Sequence, residues 1–244
     1  MTKSKVLVTG GGSGIGRAAC RLFEANGSAV AVLDRNLPEN GQIRLTADVS
    51  DEGQMTAAFD RLATEWGSID TVVANAGING VWCPIAEMTS EEWHTTMRVN
   101  LFGTFLTSRL SLPLLKDGGS IVIVASINGS RTFSNAGATA YATSKAGQVA
   151  FAKMLALELA PRRIRVNVVC PGAIQTNIAQ NMSVRNTEGI KHPRVYPAGE
   201  VPLTGGGPGT AESVAEAIYF LASPAASHIT GTEMYVDGGE SLVF

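Results

Sequence analysis

The chain has 244 residues, 45% of them hydrophobic and 16% charged, with a formal net charge of −2 at pH 7. That length and apolar share suffice for one α/β domain with a large core, and the lack of a long basic run argues against nucleic acid or an anionic membrane as a main partner. Cys20, Cys83 and Cys170 are odd in number and lack metal-ligand spacing, so neither a disulfide framework nor a metal site is expected.

The first apolar run, "KVLVTG" (5–10), starts too near the N-terminus to leave room for a signal peptide, and no run approaches the roughly 20 residues of a membrane span. A soluble, cytoplasmic protein in a reducing compartment is the expectation. The run opens into "GGGSGIG" (10–16), between a strand and a helix. Glycine tolerates positive φ and lets backbone N–H groups approach an anion, and the following helix N-terminus adds the positive end of a dipole. Gly10, Ser13, Gly14, Ile15 and Gly16 are therefore candidate pyrophosphate-binding residues, although such a turn alone also serves as a tight connection.

The second strand, "AVAVLD" (29–34), ends in Asp34, where an acid accepts hydrogen bonds from adenosine ribose hydroxyls and repels a 2′-phosphate. Arg35 beside it can pair with a 2′-phosphate or stack on adenine. NAD is favoured over NADP on this ground. The link "RNLPENG" (35–41) to the third strand, "IRLTADV" (43–49), is shorter than the roughly 10–12 residues of a usual crossover, which predicts a missing or very short helix there.

Further on, "SDEGQMTAAFDRLATEWG" (50–67) reads as a helix capped by Ser50 and stopped by Gly67, and "DTVVANAG" (70–77) as a strand. A long helix from Thr89 or Ser90 to about residue 115 precedes the strand "SIVIVAS" (120–126). An Ala-rich helix (140–160), the strand "IRVNVVCPG" (164–172), a helix capped by Thr210 and the strand "EMYVDGG" (233–239) complete the pattern. Strands apolar on both faces and separated by helices predict a parallel sheet covered on both sides. The segment 177–209 is polar, rich in Gly and Pro and without period, and reads as a substrate lid inserted in a single domain, 1–244.

In "ATAYATSKAG" (138–147), Tyr141 and Lys145 stand four residues apart and so share a helix face. Together with "TGGGSGIG" (9–16), "ADV" (47–49), "NAG" (75–77), Asn100 in "RVNLFG", Ser126 in "IVIVAS" and "PGAIQT" (171–176), the order and spacing of these residues resemble the short-chain dehydrogenase/reductase family over nearly the whole chain. The resemblance implies a Rossmann-like, doubly wound, seven-stranded parallel sheet in three α/β/α layers. It implies that Asp48 and Val49 meet adenine and that Asn75 and Gly77 line the adenosine side. Ile174 and Thr176 would hold the nicotinamide carboxamide and the diphosphate, with Pro171 beside them among the cofactor-binding residues. "VAS" stands where the family more often has a double serine, leaving Ser126 as the serine directly after the strand.

The resemblance further implies hydride transfer between a secondary alcohol or ketone and nicotinamide. Tyr141 would be the general acid or base, Lys145 would lower its pKa and bond the nicotinamide ribose, and Ser126 would bond the substrate oxygen. Asn100 would kink its helix or anchor a water on Lys145. A free tyrosine has a pKa of about 10, so a nearby cation is what would make it a usable base at neutral pH. Asn128, Arg131, Asn135, Trp82, Arg194 and Tyr196 are candidate substrate neighbours, a polar set that suggests a sugar or polyol. His94, His192 and His228 are scattered, and no histidine triad is expected. The alternatives are an NADPH-dependent 3-oxoacyl reductase, a non-redox enzyme on the same scaffold, or a silent nucleotide-binding protein. A homotetramer is expected from the family and from the apolar surplus of the helices near 100–115 and 140–160.

Overall fold

The computed structural model describes residues 3–37, 41–176, 178, 182–192 and 199–243. Seven strands, β1 (Lys5–Thr9), β2 (Ala29–Asp34), β3 (Ile43–Thr46), β4 (Ile69–Ala74), β6 (Leu115–Val124), β7 (Arg165–Pro171) and β9 (Glu233–Val236), form one sheet. Its order is β3-β2-β1-β4-β6-β7-β9 and all its pairs are parallel. The strand order reverses between β1 and β4, and in open α/β sheets such a reversal leaves a crevice at the carboxyl ends of the strands.

Side chains alternate across the sheet, so each strand feeds two cores. Leu7, Leu33, Val72, Ile121, Ile123 and Val168 pack on one face against α2 (Glu52–Trp66), α4 (Gly103–Ser111) and α5 (Thr139–Leu159). Val6, Val8, Val32, Val122 and Val169 pack on the other against α1 (Gly14–Ala25) and α6 (Ala211–Ala222). Each fully buried aliphatic side chain contributes about 1.5–3 kcal/mol, which explains why these strands are continuous runs of Val, Ile and Leu. The doubly wound, three-layer α/β/α architecture expected from the sequence is the one observed.

Local chemistry sets the boundaries. Asp51, not Ser50, caps α2, accepting from Gln54 N at 2.9 Å, because Ser50 turns back to donate to Asp48 Oδ1 at 2.7 Å. Gly67 ends that helix at φ 67°, a conformation that costs glycine little. Thr89 and Glu92 form a reciprocal capping box on α3 (Ser90–Met97). The long helix predicted from residue 89 is interrupted by a π-turn at Arg98–Phe102 that joins α3 to α4. No helix connects β2 to β3 among the described residues, and residues 38–40 lie outside them.

Strand β3 stops at Thr46, three residues earlier than expected, and β4 stops at Ala74, so "ADV" and "NAG" leave the sheet as loops. A second, two-stranded sheet pairs β5 (Gly80–Trp82) with β8 (Met182–Val184). Strand β8, not β5, belongs to the segment 177–209, read from the sequence as a lid without period. Arg185 just beyond β8 grips both carboxylate oxygens of Glu92, at 2.5 and 2.9 Å, and Asn186 donates to Glu87 at 2.7 Å. No helix among the described residues is long and apolar enough to cross a membrane.

Candidate active site

The carboxyl ends of β1, β2, β4, β6 and β7 border a cleft in two connected parts of about 370 and 310 Å³, which share Ile15, Asn75, Gly77, Thr176 and Ile178. The first part begins at the glycine turn. Gly10 adopts φ 67° against Ala76, and a Cβ there would stand 2.8 Å from the Ala76 Cα. Asn75 braces the turn, donating through Nδ2 to the carbonyls of Thr9 and Gly10, each at 3.1 Å. A side chain on Gly16 would strike the Gly10 carbonyl, so Gly16 lies beneath the turn, pressing α1 against it, and does not line the cleft as expected. Ser13 makes no side-chain cap on α1 and no acid occupies that helix's first turn. The first N–H groups therefore have no side-chain acceptor, which suits an anionic group.

At the end of β2, Asp34 accepts from Gly12 N at 2.9 Å and from Asn36 N at 3.0 Å. Each carboxylate oxygen retains a lone pair for a further donor. Arg35 lies 3.6 Å from Asp48 as an ion pair on the same rim, and Asp48 Oδ1 is occupied by Ser50. Asp48 and Val49 line the cleft as expected. A cradle without side chains, a helix start and an acid at the strand end fit the diphosphate and ribose of a dinucleotide.

The second part of the cleft holds Ser126, Tyr141 and Lys145, at 6%, 8% and 4% exposure, together with Pro171, Ile174 and Thr176. One face of α5 delivers Tyr141 and Lys145, and the Lys145 Nζ lies 5.7 Å from the centre of the Tyr141 ring. Lys145 donates to the Val124 carbonyl at 3.0 Å. Burial pushes the Tyr141 pKa above its ordinary value, and the Ser126 hydroxyl acts against that rise. Burial lowers Lys145 from 10.5 to about 8. Ser126 is itself fixed at the end of β6 by accepting from Asn128 N at 3.2 Å. The arrangement places a phenol, a hydroxyl and an amine at one end of the cleft, a set able to bind an alcohol or carbonyl oxygen and move a proton.

Asn100 is fully buried in the π-turn. It accepts from Ile78 N at 2.8 Å and donates to Ile78 O at 3.0 Å and to Ser144 Oγ at 2.9 Å. It thus joins the loop after β4 to α5, and a Cβ on Gly77 would lie between its Oδ1, at 3.2 Å, and Lys145 Nζ, at 3.4 Å.

Among the substrate candidates, Asn128 and Asn135 bond each other at 2.8 Å and line the cleft, as does Trp82, whose ring centre is 6.3 Å from that of Tyr141. Arg131 does not line it. Its guanidinium stacks 3.5 Å over the Tyr235 ring, and its charge also helps hold Asp237 in its ionised form. Cation–π contact with β9 has drawn it away from the cleft. Arg194 and Tyr196 lie outside the described residues. No histidine lines either part of the cleft, and no cluster of metal-ligating residues occurs among the described residues.

Sequence reasoning missed Glu200 and Glu240, which line the second part, and Ser144 and Gln148, which tie α5 to the π-turn. Only Ser144, three residues after Tyr141 on the same helix, carried a signal. It also missed Cys170 beneath the site, whose thiol burial pushes up to about 12, so that it stays protonated.

Fold and site together define a Rossmann-like α/β protein whose cleft gathers Ser126, Tyr141 and Lys145 at one end. A family profile described as "Enoyl-(Acyl carrier protein) reductase" matches residues 10–241. The chain belongs to the short-chain dehydrogenase/reductase family. A 3-ketoacyl-ACP reductase from Sinorhizobium meliloti 1021 is 49% identical, with TM-score 0.93, covering 98% of this chain and 100% of that one. Aldohexose dehydrogenase of Thermoplasma acidophilum is 35% identical, with TM-score 0.84, covering 98% and 94%. A 3-ketoacyl-(acyl-carrier-protein) reductase from Brucella melitensis, solved as a complex with NADH, is 30% identical, with TM-score 0.85, covering 98% of both chains.

Proposed function

We propose that the protein is an NAD-dependent oxidoreductase that interconverts a secondary alcohol and a ketone on a small hydroxylated substrate such as a sugar or polyol. The observation that carries this reading is one continuous cleft with Asp34 at one end and Ser126, Tyr141 and Lys145 at the other. Asp34, Asp48 and Val49 would hold the adenosine, Gly10, Ser13, Gly14 and Ile15 the diphosphate, and Pro171, Ile174 and Thr176 the nicotinamide end. Asp34 supports NAD over NADP, since a 2′-phosphate would be brought against its carboxylate.

Bound nicotinamide supplies or accepts the hydride. The chain manages the oxygen. Ser126 Oγ donates to the substrate oxygen, and Tyr141 gives its phenolic proton to that oxygen in reduction and removes it in oxidation. Burial keeps Tyr141 protonated at neutral pH, ready to act as the acid. In oxidation the Lys145 ammonium favours the phenolate, each unit of lowered pKa being worth about 1.4 kcal/mol. The i, i+4 spacing on α5 organises the two groups before substrate arrives. Asn100 holds the α5 end of the site in register through Ser144 and Ile78.

Asn79, Trp82, Asn128, Asn135 and Glu200 line the reaction end, and this polar wall, like the resemblance to an aldohexose dehydrogenase, supports a hydroxylated substrate. The likeness to 3-ketoacyl-ACP reductases favours a second reading, reduction of a 3-oxoacyl thioester with NADPH. The protein would act as a cytoplasmic homotetramer of single-domain subunits, without a nucleic-acid or membrane partner; the lid expected at 177–209 lies in part outside the described residues. Titration of NADH and NADPH, followed by absorbance at 340 nm with aldoses, polyols and a 3-oxoacyl thioester, separates the two readings. Tighter NADPH binding with turnover of the thioester alone would replace the first by the second.

A further inference from the structure

Beyond the last strand, the turn Asp237–Leu242 is built to aim one side chain inward. The Asp237 carboxylate accepts from Gly239 N and Ser241 N, each at 3.1 Å, and Gly238 and Gly239 take φ of 58° and 86°. Glu240, only 5% exposed, is thereby delivered to the wall of the reaction end, where its Oε2 accepts from Ala173 N at 2.6 Å. On its other side, Ala173 is held by its carbonyl, which accepts from Gly209 N at 2.9 Å. The segment 172–176 that carries Ile174 and Thr176 is therefore clasped between two distant parts of the chain. Gly172 leaves room for the carboxylate and for the turn that carries it, since a Cβ there would collide with Glu240 Oε2 and with the Asp237 Cβ at 2.7 Å.

We propose that Glu240 is a positioning residue: its carboxylate, by capturing the Ala173 N–H, sets the loop after β7 at the height needed to receive the nicotinamide half of the dinucleotide. This rests on the reading of the cleft as a nicotinamide site. Removing the acceptor leaves the Ala173 N–H without this partner, which costs free energy where that group is buried. On that reading the adenosine half would bind at the other end of the cleft, beside Asp34 and away from the clasp.

The test is fluorescence or calorimetric titration of NADH and of ADP-ribose, which lacks the nicotinamide ring, into the wild type, Glu240→Ala and Glu240→Gln. Glu240→Ala should weaken NADH by roughly five- to tenfold, as loss of a buried hydrogen bond allows. ADP-ribose should stay within about twofold, and Glu240→Gln, whose amide oxygen can still accept from Ala173, should keep NADH within about twofold. If Glu240→Ala does not fold, Glu240→Asp, whose side chain is one methylene shorter and withdraws the carboxylate from Ala173 N, should show the same selective loss. Equal losses of NADH and ADP-ribose, no loss of NADH, or a Gln variant as weak as the Ala variant would overturn the proposal. A wild type that binds ADP-ribose but not NADH or NADPH would instead overturn the nicotinamide reading and the proposal with it.

Discussion

Replacing Lys145 with methionine should make the cofactor-free protein more stable at neutral pH while removing its chemistry. Lys145 is 4% exposed, and burial lowers its pKa from 10.5 to about 8. That difference corresponds to about 3 kcal/mol held against the ammonium at neutral pH. Methionine fills a similar volume without charge but gives up the 3.0 Å bond to the Val124 carbonyl, a loss of about 1–2 kcal/mol. The net gain is about 1 kcal/mol, or roughly 2–4 °C in Tm for a chain of this size. The folded-state pKa lies below the unfolded value, so stability linked to neutral Lys145 is full above 10.5 and is lost as pH falls through about 8. The advantage of Lys145→Met should therefore shrink as pH rises from neutral toward 10. Thermal melts of both proteins across that range measure it. A variant that is less stable at neutral pH, by a margin that does not change with pH, would refute the claim that the ammonium is held there at a cost.

Other substitutions probe separate parts of the site. Asp34→Ala should weaken NADH by roughly tenfold, about 1.4 kcal/mol, while NADPH changes little or improves, as measured by titration. Equal losses for both would remove the ribose role from Asp34. Asn100→Ala leaves both polar groups of Ile78 and the Ser144 hydroxyl short of a partner. It should cost about 2–4 kcal/mol in denaturant melts, and a cost below ~0.5 kcal/mol would show that the π-turn does not depend on it. Arg185→Ala frees β8 from α3 beside Trp82, and should raise KM several-fold with kcat little changed. Because Arg185 holds the Glu92 pKa down to about 2 from 4.5, the pair's contribution is full above 4.5 and is lost only as pH falls through about 2. The KM effect should therefore be constant from pH 5 to 8, and a kcat effect would argue that β8 shapes the reacting groups instead.

The sheet was legible because its strands are buried on both faces, so that Val, Ile and Leu run without interruption and helices must fill the gaps. Among the described residues no helix links β2 to β3, which is what the shortness of that link predicts. Tyr141 and Lys145 at helix spacing are a weak signal alone, and the set with Ser126 was legible only through its order with the glycine turn upstream and "PGAIQT" downstream. What escaped depends on contacts between distant segments. Glu240 reaches Ala173 across 67 positions, and Arg185 reaches Glu92 across 93. No local pattern encodes either partner. Arg131 was misread for the same reason, since the Tyr235 ring that captures it belongs to the last strand. The strand β8 escaped because its three residues have no period of their own and are ordered by pairing with β5. The limits of "ADV" and "NAG" were set too late because apolar residues continue past the point where the backbone leaves the sheet to border the cleft.

The central claim is that Tyr141 transfers the proton in a nicotinamide-linked oxidation and reduction. The most direct measurement compares wild type and Tyr141→Phe for turnover at 340 nm on any substrate accepted by the wild type, with NADH affinity titrated in parallel. The account predicts that the variant keeps NADH affinity within about threefold and loses turnover by roughly 10³-fold or more, as the proposed role of the phenol as acid and base requires. Turnover within about tenfold of wild type at unchanged affinity would contradict it.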